Sequence, residues 1–410
     1  MIKAPRGTHD VLPDERLLVR RVVSAFKELA ERYGYREITT PILEHAELIE
    51  RTSGQGSDIV QKEIYTLEDR SGRLLALRPE ATAPTARAYL EHGLHRSPQP
   101  VKTYMVGQMF RYDRPQRGRY REFWQLNVEA MGAEDPAVDA ELIQLYDELL
   151  KRLDIEHYWI DLNSIGDREC RPAYVEKLNA WLDEHPEAVT PEVAQKRETS
   201  PLRVFDVKDE AVQKALGDAP KIGESLCDRC REHFDDVRRH LDAMGVEYRL
   251  SPTLVRGLDY YTRTAFEFLG EALGAKDSIC GGGRYDYLIE EIGGPATPGV
   301  GWAAGLERLL LQLQEEGGEQ PEAPAIDVFF VVDKAASRER VSALMAEVRR
   351  GGKSAEMDYA GRSCKGQLTH AARLNAETIV VIEGDQATIR RSHEDDVSVP
   401  IGELARRLRG

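Results

Sequence analysis

Across residues 14–33 the apolar side chains Leu17, Leu18, Val22, Val23, Phe26, Leu29 and Ala30 recur at helical spacing, which predicts an amphipathic helix ended by Gly34. Residues 35–43 then read as a short strand, and Pro41 within it lacks a ladder donor, which places that strand at an edge or an interface. Period-two alternation is clearest in residues 102–113 and 120–131. These runs flank a loop carrying Pro115 and Gly118, and together they predict an antiparallel hairpin. Successive strand side chains point to opposite faces, so Trp124, Leu126, Val128 and Ala130 share one side of the second strand and Gln125, Asn127 and Glu129 the other. In the first strand Thr103, Met105, Met109 and Arg111 share a face. One side of the hairpin is apolar; the other reads as the floor of a polar pocket.

The remaining pattern supplies further elements. LLALRPEATAPTAR at 74–87 runs from a strand into Arg78-Pro79-Glu80 and then a helix, with Glu80 and Thr82 held at the turn because Pro79 cannot extend the ladder. Residues 161–250 read as helical and polar. In LVRGLDYYTRTAFEFL at 254–269, Thr264, Phe266 and Phe268 alternate with Ala265, Glu267 and Leu269 to give a strand. GVGWAAGLERLLLQL at 299–313 passes from small residues into a helix whose first turns hold Glu307 and Arg308. Residues 315–325 are charged, rich in Gly and Pro and free of large apolar side chains, which makes them a linker. Beyond it, strands at 327–332, 355–359 and 378–383 alternate with helices at 336–350 and 364–375 as a small α/β unit. There is no internal repeat.

Length and composition narrow the class. A chain of 410 residues is long enough for two or three domains, and 41% hydrophobic with 31% charged residues fits a folded globular protein rather than a disordered one. No apolar run reaches the roughly 20 residues of a membrane span, and MIKAPRGTHDVLPDE has no hydrophobic signal core, so the expectation is a cytoplasmic protein without membrane contact. The net charge of −15 gives a nucleic-acid partner no support in total. The acid is unevenly placed, however: residues 325–410 hold 14 Lys/Arg against 13 Asp/Glu, which leaves an RNA partner open through local patches.

Three groups of residues carry candidate chemistry. Arg111, Arg114, Arg117, Arg119 and Arg121 crowd the hairpin loop, and forked guanidinium donors beside a polar floor suit a polyphosphate; a solvated basic turn is the plain alternative. Arg256 with Asp259, Tyr260 and Tyr261 reads either as a site or as a structural ion pair with packing tyrosines. SICGGGRYDY at 278–287 sets three glycines, which admit close backbone approach, beside Arg284 and Tyr285. Cys227-x-x-Cys230-x-x-His233 has metal-like spacing but offers an incomplete tetrahedral set without a fourth ligand nearby, so the expectation is two semi-buried thiols and no metal. Five cysteines do not make a disulfide framework. A P-loop is absent, and Gly299–Gly305 is one residue too long for the dinucleotide fingerprint. His92-Gly93-Leu94-His95 resembles the HIGH signature of another enzyme class but has no KMSKS-like partner.

FRYDRPQRGRYREFWQLNVE resembles motif 2 of the class II aminoacyl-tRNA synthetases, in detail the histidyl-tRNA synthetase version. Other segments are similar to further parts of that family. GYREITTPILEHAEL resembles motif 1, RPEAT the RPE-x-T element, LVRGLDYY and GGGRYDY the two histidyl signatures, GVGWAAGLER motif 3, and GRSCKGQLTHAARLNAETIVVI the anticodon-binding domain. The resemblance implies an α+β fold: a class II synthetase antiparallel sheet flanked by helices, with a helical insertion and a C-terminal α/β anticodon-binding domain. It divides the chain into a catalytic domain at 1–160 and 251–316, an insertion at 161–250, a linker at 317–325 and an anticodon-binding domain at 326–410.

The implied activity is histidine–tRNA ligation through histidyl-adenylate, with ATP as substrate, Mg2+ on the phosphates, tRNA(His) as acceptor and a homodimer as the assembly. By the same resemblance Arg256 meets the α-phosphate and the substrate carboxylate, and Arg111, Arg119 and Arg308 meet ATP. Glu80, Thr82 and Gln125 surround the histidine ammonium, Glu129 and Tyr261 pair with the imidazole, and Tyr260 and Tyr285 complete the histidine pocket. Arg114 and Gln116 match positions associated with the extra 5′ guanosine of this tRNA. Two rivals are a catalytically silent paralogue serving as the histidine-sensing regulatory subunit of ATP phosphoribosyltransferase, and a synthetase for another amino acid. The intact motif residues and the tail domain count against the first, and LVRGLDYY with GGGRYDY against the second.

Overall fold

The alternation of the hairpin builds the centre of an eight-stranded sheet. Strands Val101–Phe110 and Glu122–Met131 pair antiparallel with Thr103 opposite Glu129 and Gly107 opposite Gln125. Glu122–Met131 then pairs with Gly299–Gly305, followed in order by Asp277–Arg284, Thr262–Gly270 and Tyr158–Ser164, all antiparallel. Only the two short edge strands, Arg36–Glu37 and Arg249–Leu250, are parallel to their neighbours. The computed structural model describes residues 2–409 except 55, 56, 58, 208, 272–276, 319, 320 and 335. Two positions of the linker expected at 317–325 therefore lie outside the described residues.

The apolar face of this sheet is covered by helices. Leu126, Val128, Ala130, Phe266, Phe268 and Trp302 share one core with Leu18, Val22, Phe26 and Leu29 of the helix Pro13–Arg32. That helix begins with Pro13 at its first turn, where a missing N–H costs nothing, and Asp14 and Glu15 oppose the positive end of its dipole. Helices Pro136–Arg152 and Leu306–Glu315 complete the cover. Trp302 fixes the packing, since its Nε1 donates to the Leu142 carbonyl at 2.9 Å and its ring meets Tyr146 at 5.0 Å.

The strand expected at 35–43 is split. Arg36–Glu37 joins the large sheet, while Leu43–His45 joins a separate three-stranded sheet with Leu74–Leu77 and Tyr65–Glu68. Thr40-Pro41 is the break, and Arg78 occupies it by donating to the Thr40 carbonyl at 2.7 Å and the Gln108 carbonyl at 2.9 Å. A proline without a donor and a buried guanidinium taking the free carbonyls account for the interruption.

The stretch read as helical at 161–250 begins and ends in strands of the large sheet, Tyr158–Ser164 and Arg249–Leu250. A core of its own runs from Cys170 through Tyr174, Leu178 and Val204 to Cys230. The last helix, Asp228–Met244, instead turns Val237 and Leu241 into the core of the large sheet.

A second compact unit starts at Glu322. Its sheet runs Ala355–Met357, Val328–Val332, Thr378–Glu383, Gln386–Arg391 and Val397–Pro400, with the first two pairings parallel and the last two antiparallel. Val328, Phe330 and Val332 enter one core and Phe329 and Val331 another, so this strand is covered on both faces. Among the described residues no helix is long and apolar enough to cross a membrane.

Candidate functional site

The polar face of the large sheet forms the floor of a cleft of about 710 Å³. Glu80, Thr82, Arg111, Arg119, Gln125, Arg256, Tyr260, Tyr261 and Arg308 all line it, which brings together in space residues spread over 229 positions of sequence. The strand Leu74–Leu77 delivers Glu80 to the start of the helix Thr82–Glu91, where its carboxylate accepts from the Thr82 N–H at 2.6 Å and the Ala83 N–H at 2.9 Å. Burial raises the Glu80 carboxyl above its ordinary pKa although those N–H groups favour its charge.

Glu129 and Tyr285 stand behind this wall, 2% and 1% exposed. Tyr285 donates to one Glu129 oxygen at 2.5 Å and Thr82 Oγ1 to the other at 2.7 Å. Burial pushes the Glu129 carboxyl up to about 8, against the pull of those two hydroxyls and with help from the nearby Glu80 charge. Gly301, opposite Glu129 in the adjoining strand, makes the space, since a Cβ there would sit 1.9 Å from Glu129 Oε2. Gln125 Oε1 is buried without a hydrogen-bond partner, which leaves an acceptor ready at the cleft floor.

Arg256 crosses the cleft to donate to Glu267 Oε1 at 2.8 Å, with its guanidinium 5.9 Å from the Tyr261 ring centre. Burial opposes its charge, but the Glu267 carboxylate, with smaller help from Tyr261 and Cys280, outweighs that and holds the arginine above its usual pKa. Room for the guanidinium comes from Gly281, where a Cβ would lie 2.0 Å from Nη2. The triple glycine thus clears space for protein side chains of the site. Arg284 beside it is fully buried away from the cleft, paired with Asp139 at 2.5 Å and Asp286 at 3.1 Å.

The other guanidiniums come from the hairpin and the last helix of the sheet domain. Arg111 Nε donates to the Pro79 carbonyl at 2.9 Å, and Arg119 Nη1 lies 3.3 Å from Asp113. Residues Gln116 and Arg119 close a tight turn that Gly118 completes with φ +74°. Arg308 spans from the Gly118 carbonyl at 3.3 Å to the Ser278 carbonyl at 2.5 Å, tying the loop to the sheet. Arg114 and Gln116 are exposed on the same loop.

Sequence reading left several lining residues unassigned. Glu267, Glu307, Lys196, Arg203 and Asp206 also face the cleft. Glu307 holds the Trp124 N–H at 2.9 Å, and burial pushes its carboxyl up to about 7. Only Glu267 and Glu307 carried a signal, as a lone carboxylate in an apolar strand and as the residue before Arg308. The Cys227-x-x-Cys230-x-x-His233 spacing, read as incomplete for a metal, is divided: His233 Nε2 lies 3.2 Å from Asp139 Oδ1, while the two sulfurs face Asp167 and Cys170.

A family model described as histidyl-tRNA synthetase matches residues 7–309. The chain is 45% identical over 381 residues to a histidine–tRNA ligase of Halothermothrix orenii, covering 93% of this chain and 91% of that protein. It is 47% identical over 383 residues to one of Moorella thermoacetica, covering 92% and 89%. Its structure resembles apo histidyl-tRNA synthetase of S. aureus with a TM-score of 0.83 and 34% identity over all of both chains. A chain from Bacillus halodurans, titled ATP phosphoribosyltransferase regulatory subunit/histidyl-tRNA synthetase, shares the fold at TM-score 0.65 and 23% identity, covering 94% and 99%.

Proposed function

The chain belongs to the histidyl-tRNA synthetase family, whose reaction joins histidine to tRNA using ATP, and from that premise we propose how its residues divide the two steps. A carboxylate oxygen of histidine attacks the α-phosphorus of ATP, the bond to the bridging oxygen breaks, and pyrophosphate leaves histidyl-adenylate behind. A ribose hydroxyl of the terminal adenosine of tRNA(His) then attacks the activated carbonyl and AMP departs.

Arg256 touches the α-phosphate and the histidine carboxylate, where negative charge develops, and Glu267 and Gly281 keep it oriented there. Arg111, Arg119 and Arg308 hold the ATP phosphates and base, a task that needs position and positive charge more than covalent help. Glu80, Thr82 and Gln125 receive the ammonium group. The imidazole is assigned to Tyr261 in the cleft with Tyr260 beside it, and to Glu129 and Tyr285, which stand behind the wall joined to each other. Arg114 and Gln116, exposed on the motif 2 loop, meet the 5′ end of the tRNA.

Magnesium fits as an ion carried by the substrate. Two of the lining carboxylates, Glu267 and Glu307, are engaged by Arg256 and the Trp124 N–H, and Mg2+ would take its ligands chiefly from phosphate and water, as its hydration chemistry favours. When bound it neutralises phosphate charge. The unit from Glu322 is assigned to reading the anticodon, the insertion to contact with the acceptor arm, and the chain to a cytoplasmic homodimer.

The observation that carries this reading is the convergence of four arginines with the Glu80–Thr82 turn in one cleft. Identity of 45–47% to histidine–tRNA ligases over 92–93% of the chain, against 23% to the Bacillus halodurans chain, separates it from the silent paralogue. The test is amino-acid-dependent ATP–pyrophosphate exchange. Histidine alone supports exchange, because a pocket built to hydrogen-bond both ring nitrogens discriminates by up to about 10⁴–10⁵-fold. Histidine binding without exchange would favour the sensing paralogue.

A further inference from the structure

Two short spacings, one at each end of the helical insertion, meet in space. Asp167-x-x-Cys170 lies where the strand Tyr158–Ser164 gives way to the helix Arg171–Glu184, and Cys227-x-x-Cys230 lies at the start of the helix Asp228–Met244. One ligand atom from each of the four residues lies within 4.8 Å of every other. Cys170 Sγ is 3.9 Å from Cys230 Sγ and 3.5 Å from Asp167 Oδ1. A tetrahedral zinc ion with bonds of about 2.3 Å to sulfur and about 2.0–2.2 Å to oxygen holds its ligand atoms about 3.5–3.8 Å apart. The separation is far beyond the roughly 2.05 Å of a disulfide, and all five cysteines are free.

We propose that Asp167, Cys170, Cys227 and Cys230 form a structural zinc site that staples the entry of the helical insertion to its exit. Three sulfurs and one oxygen within 4.8 Å of one another select zinc over magnesium or calcium, which take all-oxygen sets. The spacing is that of paired metal knuckles, C-x-x-C with C-x-x-C, with a carboxylate in one of the four places.

The surroundings suit an anionic ligand set. Asp167 is wholly buried, and its Oδ1 is aligned by the Glu169 N–H at 3.0 Å and the Cys170 N–H at 3.4 Å. From the other side Arg229 and Arg263 approach Oδ2 at 3.4 Å and 3.8 Å, which offsets the negative charge that three thiolates and a carboxylate leave around a dication. The Asp167 N–H points at Cys170 Sγ at 3.3 Å. Gly166, at φ +62°, lets this sulfur fold back against the chain, since a Cβ there would stand 2.6 Å from it.

Buried thiols often serve only as small apolar side chains, and Cys170 and Cys230 do belong to the insertion's core. Packing does not explain why a buried carboxylate and the partly exposed Cys227 turn toward the same point. A metal there closes residues 171–226 into one loop, which restricts the unfolded chain and fixes the insertion that carries Lys196 and Arg203 to the cleft.

The experiment is metal analysis of the full chain purified under reducing conditions without added metal. About one zinc per chain is expected, retained in Cys280→Ser and Cys364→Ser and lost from Cys227→Ser and Cys170→Ser. Because a ligand variant can fail to fold, the wild-type chain supplies a second readout. Stripped with a chelator and refilled with Co2+, it should show an intense thiolate-to-cobalt charge-transfer band, and stripping should speed protease cleavage within residues 171–226 at least tenfold. A metal-free chain that gives no such band, zinc that persists in a Cys227→Ser/Cys230→Ser chain, or a Cys170–Cys230 disulfide after reducing purification each overturns the proposal.

Discussion

Arg256 donates to Glu267 at 2.8 Å directly over Gly281, so the guanidinium that faces the cleft is held by a carboxylate on one strand and admitted by a missing side chain on the next. The pair orients the arginine before any substrate arrives, which is the condition under which charge stabilisation adds most to a rate. Arg256→Ala should lower histidine-dependent ATP–pyrophosphate exchange by about 10²–10³-fold or more, while histidine affinity falls less than about tenfold. Gly281→Ala should act through the same group by displacing the guanidinium. Exchange at the wild-type rate in Arg256→Ala, measured beside calorimetric histidine binding, would remove the assignment.

Glu129 gives a pH signature. Its folded carboxyl titrates at about 8 against an ordinary value of 4.5, chiefly because it is buried. Between those values the folded chain holds a proton that the unfolded chain has released, so stability is lost as pH rises through this window. The ligand-free melting temperature should therefore fall from pH 5 to pH 8. In Glu129→Gln the fall should be shallower; part remains because Glu307, at about 7, acts in the same direction. Thermal scans of the two proteins across that range check the sign, and an identical slope in both would locate the titration elsewhere.

The hairpin was readable because its signal is local. Alternation alone sorts Gln125 and Glu129 from Leu126 and Val128, and the structure puts the first pair on the cleft side and the second in the core. Motif resemblance added Glu80, Arg256 and Arg308, whose convergence no spacing rule predicts. Features made only by tertiary contact stayed hidden. Lys196 and Arg203 reach the cleft from an insertion that reads as polar helix, and the strand through Pro41 breaks because distant Arg78 takes the Thr40 carbonyl. Cys227-x-x-Cys230-x-x-His233 read as an incomplete set of semi-buried thiols, whereas the residues beside the two sulfurs are Asp167 and Cys170, which lie far off along the chain.

Asp139 tests what holds the sheet to its covering helix. It is fully buried and joins Arg284 at 2.5 Å on one oxygen and His233 at 3.2 Å on the other. Burial pushes the Asp139 carboxyl up, but the Arg284 charge together with the His233 and Thr264 contacts outweighs it and keeps the group below its ordinary pKa. Asp139→Ala leaves the buried Arg284 with Asp286 as its remaining carboxylate partner, and removing one partner of a buried charge pair typically costs up to about 3–5 kcal/mol. Denaturant titration should record that loss, with Arg256→Ala, at the cleft, close to wild type by the same measure.

Removal of the chain beyond Pro324 tests the division of labour. The unit that starts at Glu322 has its own sheet and its own cores, with Phe330 and Leu404 in one and Phe329 and Ala371 in the other. Every residue assigned here to histidine or ATP lies before it, Arg308 being the last. The truncated chain should therefore keep histidine-dependent exchange within a few-fold while tRNA(His) charging falls sharply, through a raised KM for tRNA rather than for histidine. A tail that only stabilised the cleft would instead lower both activities together. Undiminished charging would show that recognition of the tRNA rests on the remaining residues, with the exposed Arg114 and Gln116 as the first positions to substitute.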